Sequence, residues 1–186
     1  MARQTAASSR PALLEISQSY EEEAERIGAA AGLDYAIRSV VSLYDDRHDW
    51  PNTYTMWEEK CWDTIRDLKS LNEFLTAISN RHPEYSELNS RRNEATEALS
   101  QLIHAMEELG RAFRLQTTGP DYEEGEDDIT AEEDASIRAN MTPARIRWDG
   151  ARAALRESLT TEIREAWRML RQTEQFATGP HKHFHD

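Results

Sequence analysis

Apolar residues recur along this chain at steps of three and four for most of its length, the mark of helices that each bury one face. Leu13, Ile16, Tyr20, Ala24 and Ile27 form the first such stripe. Ser9 and Pro11 suit its start, because proline loses nothing in a first turn, where its missing N–H would have no partner. Gly28 and Gly32 weaken the middle of the run, so a break is expected there, with Leu33, Ile37, Val40, Val41 and Tyr44 as the buried side of a continuation. The pattern stops at Asp49-Trp50-Pro51-Asn52, where proline disfavours helix in its neighbour.

Thr55-Met56-Trp57-Glu58 fits a capping box and predicts the start of the next helix, with Trp57, Cys61, Ile65, Leu68, Leu71, Leu75 and Ile78 as its stripe up to Asn80-Arg81-His82-Pro83. The most regular signal follows. Tyr85, Leu88, Arg92, Ala95, Leu99, Leu102, Met106, Leu109 and Phe113 alternate the two spacings without a slip, a heptad seam that keeps one face toward a partner helix. Arg92 is the one charged residue in it and needs a carboxylate or an exit to water. Thr130 to Glu133 is a second capping-box match, read as a short helix through Ile137 ending near Asn140. Thr142-Pro143 then reads as the start of a long final helix with Trp148, Ala151, Leu155, Leu159, Ile163, Ala166 and Leu170 as its stripe, closed by Gly179-Pro180. No strand signal or internal repeat stands out. The expected fold is all-α, a bundle of four principal, long antiparallel helices with the first broken. A tail over residues 1–10 precedes one domain over 11–178, and a His-containing tail spans 179–186.

Composition changes this picture at one place. Between Gly119 and Asp134 nine carboxylates crowd around little that could be buried, so 119–134 is expected to be a mobile acidic connection. The formal net charge of −13 argues against unspecific binding to a phosphate backbone or an anionic membrane surface. No run of apolar residues is long enough to span a membrane, and Met1 to Arg10 carry no secretory pattern, so a cytoplasmic location is expected. Cys61 is the only cysteine and reads as a packing residue.

Candidate chemistry is sparse. Arg145, Arg152, Arg156, Arg164, Arg168 and Arg171 fall mostly on one flank of the last helix, and they want carboxylates nearby, either Glu107, Glu108 and the acidic segment or a partner's. Glu21, Glu22 and Glu25 resemble the first motif of the all-α nucleotide pyrophosphatases of the MazG type. That resemblance implies a magnesium site completed by an ExxD on the next helix, but Glu58, Glu59, Asp63 and Asp67 do not keep that spacing. No Glu-x-x-His pair that a di-iron bundle needs occurs among His48, His82 and His104. The alternate histidines His181, His183 and His185 with Asp186 could meet a metal only without a rigid second shell. Trp148-Asp149-Gly150 matches the WxG tripeptide of small helical-hairpin proteins, yet it follows a helix start by five residues instead of forming a turn.

No catalytic residue, metal ligand set or cofactor is assigned. The expected function is a non-enzymatic protein-interaction module, a regulator, adaptor or phage- or plasmid-encoded accessory factor. It would bind a protein partner or itself, on the strength of the unbroken heptad seam from Tyr85 to Phe113 together with Trp50, Tyr54 and Trp57, placed in a loop as aromatic anchors, and through Arg145, Arg152, Arg156, Arg164 and Arg168. The alternatives are a metal-dependent nucleotide hydrolase using Glu21, Glu22, Glu25 and Asp63, and a nucleic-acid-directed role for the Arg flank.

Overall fold

The computed structural model describes residues 10–46, 54–78, 86–115 and 129–177. These form α1 (Arg10–Ala29), α2 (Ala31–Asp45), α3 (Tyr54–Ile78), α4 (Ser86–Leu115) and α5 (Ala131–Ala177), with no strand among the described residues. The fold is an all-α bundle. None of these helices is long and apolar enough to cross a membrane.

α1 and α2 make one leg with the break the two glycines predict. Ala30 keeps right-handed helical angles (φ −59°, ψ −14°), its N–H donates to the Arg26 carbonyl at 3.1 Å and its own carbonyl accepts from Leu33 at 3.0 Å. The ladder therefore tightens for one turn and does not open into a loop. α4 packs against α3 and α5, α5 also against α1, and α2 against α3. Lys60 donating to Ser39 at 2.9 Å and the Arg26 guanidinium 4.1 Å above the Phe74 ring show α3 returning antiparallel to the first leg.

The heptad seam of α4 supplies the centre of the core. Leu88, Arg92, Ala95, Leu99, Leu102, Met106, Leu109 and Phe113 are all at most 2% exposed, so the stripe offered for self-association is consumed within the chain; Tyr85 lies outside the described residues. Phe113 meets Tyr44 edge-on at 5.5 Å and Trp57 at 6.1 Å. Trp57 is thus a buried core residue one turn into α3 and not an exposed loop anchor, because its position on the α3 stripe turns it inward. On the face of α4 turned to α3, a Cβ on Gly110 would stand 3.2 Å from the Trp62 ring and 3.4 Å from the Cys61 sulfur. The Cys61 thiol donates to the Met106 carbonyl at 3.5 Å, and burial, with the Glu58 charge adding, pushes its pKa up to about 12. It packs and does not react.

α5 departs from the expected pattern. Ala131–Ala177 is one helix of 47 residues with Pro143 inside it, not a short helix followed by a new start at Thr142. The reason is tertiary. Ile137, Met141, Ala144 and Trp148 are buried at steps of four, three and four, so one face stays against the bundle across the proline, and that packing outweighs the lost N–H.

The acidic connection also ends earlier than expected. Thr130 caps α5: its hydroxyl accepts from the Glu133 N–H at 3.2 Å, while Glu133 Oε2 accepts from the Thr130 N–H at 2.9 Å. Residues 130–134 are therefore ordered helix entry, and Asp134 receives the Tyr44 hydroxyl at 2.8 Å. The Thr130 N–H, and the Thr130 hydroxyl donating to the same oxygen at 2.8 Å, hold the Glu133 carboxyl below its ordinary pKa. A depressed carboxylate stabilises above its unfolded pKa and loses that contribution as pH falls through the folded one. Thr130→Ala is expected to cost about 1 kcal/mol at pH 7 by urea denaturation, and the gap between variant and parent should narrow as the carboxylate becomes protonated.

Candidate functional site

Among the described residues, besides the Arg138 pairs with Asp45 and Asp134 that join α2 to α5, one charged constellation is buried and one is open. In the buried one, Arg92 on the α4 seam donates from Nε to Glu23 Oε1 at 2.9 Å and from Nη2 to Oε2 at 2.6 Å, a fork that matches the carboxylate in plane. Both side chains are 2% exposed. Asn89 accepts the Nη1 proton at 2.8 Å, and the Tyr20 ring lies 6.0 Å below the guanidinium. The two ions are shut away from solvent and only Asn89 is half-buried at the rim, so the pair fastens α1 to α4 across the bundle.

Glu23 is the residue that sequence reading passed over in favour of its neighbours Glu21, Glu22 and Glu25. The signal existed. Glu23 stands three residues after Tyr20 and four before Ile27, on the buried stripe itself, just as Arg92 stands on the α4 seam. A lone acid on one stripe and a lone base on another are the pair a buried charge requires.

The open constellation lies on α5. Of the expected Arg flank, Arg152 is paired: its Nη2 is 2.5 Å from Asp34 on α2 and 3.6 Å from Asp149. Burial nonetheless raises the Asp34 carboxyl above its ordinary pKa, outweighing the attraction of Arg152, and Asp149 adds to the rise. Arg168 is held by Glu165 at 2.5 Å within its own turn. Arg145, half-buried, and Arg156, Arg164 and Arg171, exposed, have no carboxylate partner among the described residues. The acids expected to neutralise the flank are engaged elsewhere. Glu107 receives Lys69 of α3 at 2.6 Å, and Glu108 faces His104 at 3.7 Å and Asn140 at 3.2 Å.

Arg152, Arg156, Thr160 and Arg164 line one side of an open groove of about 580 Å³, and Ile27 and Ala31, flanking the α1–α2 break, line the other. The Thr160 and Thr161 hydroxyls donate to the Arg156 and Glu157 carbonyls at 2.8 and 3.1 Å, so their protons are spent within the helix. Arg156 and Arg164 stand eight residues apart, about 12 Å along the axis. One small anion cannot bridge that distance. An extended acidic stretch of about four residues covers it. The groove offers no activated nucleophile, and Glu157 is its one acid.

Of the remaining candidates, Trp50, His48 and His82 lie outside the described residues, as do His181, His183, His185 and Asp186. Tyr54 is the first residue of α3. The carboxylates of the MazG-like reading do not converge. Glu21 accepts the Trp167 indole N–H at 2.8 Å, Glu22 pairs with Arg26 at 3.4 Å and Asp63 with Arg66 at 3.0 Å, and among the described residues no three His, Cys, Asp or Glu group as a metal site. Trp148 of the WxG tripeptide is fully buried in mid-helix. Comparison with known proteins finds no matching family model, no matching curated protein and no matching solved structure.

Proposed function

We propose that this chain is a non-enzymatic protein-interaction module that takes an acidic protein segment along the Arg156–Arg164 stretch of α5. The observation that supports the reading most directly is the pair of guanidiniums that have no carboxylate partner among the described residues, on the rim of an open groove, in a chain whose net charge is −13. With 35 acidic residues available against 22 basic ones, an unpaired pair of arginines on one face is a local reversal of sign. Such a reversal attracts carboxylates at short range, and the surrounding negative charge penalises a continuous phosphate backbone more than a short acidic segment.

Exposed ion pairs contribute about 0.2–1 kcal/mol each, so the two arginines alone give weak binding, and contact with the exposed Ala31 on the facing wall has to add to it. A labelled Glu-rich peptide titrated into the full chain, followed by fluorescence anisotropy, tests this. Binding is expected in about 0.1 M salt and should vanish near about 1 M, as the Debye length shrinks from about 10 to about 3 Å. Arg156→Glu/Arg164→Glu should abolish it with the circular dichroism unchanged, since both side chains are exposed. Absent binding to the parent chain, or equal binding by the double variant, would overturn the reading. Preference for a single-stranded oligonucleotide over the peptide would do the same.

A further inference from the structure

We infer that the acidic segment recognised by this groove is residues 119–128 of a second copy of the same chain, which rests on the reading above and names its partner. The first support is charge. Asp121, Glu123, Glu124, Glu126, Asp127 and Asp128 fall within eight consecutive residues, so the ~12 Å between Arg156 and Arg164 is matched by carboxylates at several alignments of a chain rising about 3.3 Å per residue.

The second support is reach. The thirteen residues between Leu115 and Ile129 are tied at both ends to one end of the bundle. Even fully extended, their midpoint gets no further than about 24 Å from those anchors. Arg156 lies 25 residues and Arg164 33 residues beyond Ala131 on α5, about 38 and about 50 Å away along its axis. The gap of about 26 Å at Arg164 is beyond the reach of side chains, so the segment cannot neutralise both arginines within its own molecule. It can do so only in another.

Such an association carries its own salt signature, set by the net charge. Two molecules of −13 repel as wholes when salt is low, whereas contact pairs fail when salt is high. Association should therefore peak near about 0.15 M, where a Debye length of about 8 Å screens whole-molecule repulsion but not contacts, and decline toward both about 0.01 M and about 1 M. Self-association through apolar surface would rise with salt instead.

Sedimentation equilibrium of the full chain tests the inference, with two variants. One is Arg156→Glu/Arg164→Glu in the groove. The other carries Glu123→Gln, Glu124→Gln, Glu126→Gln, Asp127→Asn and Asp128→Asn. Reversible association of the parent chain near about 0.15 M salt is expected, each variant alone should be monomeric, and their equimolar mixture should recover a two-chain complex through the one intact groove and the one intact segment. A parent chain monomeric up to about 1 mM, or association by either variant equal to the parent's, would overturn it. If the Glu-rich peptide binds a chain that stays monomeric, the self-recognition fails while the interaction function stands. If neither binding nor association occurs, both fail.

Discussion

Glu23→Leu is expected to lower the unfolding free energy by about 3–5 kcal/mol, because it leaves the Arg92 guanidinium buried without its counter-charge. The geometry makes escape costly. Arg92 is 2% exposed in the middle of the α4 seam, Asn89 takes only one of its protons, and the flanking seam residues Leu88, Ala95 and Leu99 are themselves buried. The companion variant Glu23→Leu/Arg92→Met should be close to the parent in stability or above it, since a well-packed apolar pair avoids the desolvation that the ions incur. Urea denaturation of parent, single and double variants decides the matter. A single variant within about 1 kcal/mol of the parent would mean that Arg92 finds water, and that the fork contributes less than its burial implies.

The second large effect is a gain. Pro143→Ala should stabilise the bundle by about 2 kcal/mol, the ~3 kcal/mol that an interior helical proline costs less the added entropy of the unfolded chain. Pro143 is exposed, so no packing is lost, and the restored N–H gives the Ala139 carbonyl its helical partner. A shift of the urea midpoint to lower concentration would show instead that the core around Met141 and Ala144 is fitted to a proline kink.

How much of this was legible before any coordinates depends on whether local or long-range forces decided each element. The stripes of α1 to α4, the break between Gly28 and Gly32 and the inward seam of α4 follow from period and glycine placement alone. At Pro143 the local cues, threonine followed by proline, pointed to a new helix, while the stripe through Ile137, Met141, Ala144 and Trp148 pointed to a continuous one. Burial of that stripe prevailed. The site was less readable. That the flank contains Arg156 and Arg164 is plain from spacing, but which arginines keep a carboxylate depends on helix order. Asp34 reaches Arg152 because α2 lies beside that part of α5, and Glu107 is turned toward α3 and Lys69. Neither adjacency is written in the composition of any one helix. Trp57 shows the converse, since its place on the α3 stripe already implied burial before its aromatic ring suggested an anchor.

The break in the first leg also bears on how such a groove could diversify. Gly28 and Gly32 sit beside the lining residues Ile27 and Ala31, and a Cβ added at either position meets nothing within 4 Å. Alanine there would gain up to about 1 kcal/mol of helix propensity at no steric cost. Larger side chains would narrow the approach to Arg156 without touching the core. Selection can therefore reshape the mouth of the groove at two positions that folding leaves almost unconstrained, so that its lining changes separately from stability.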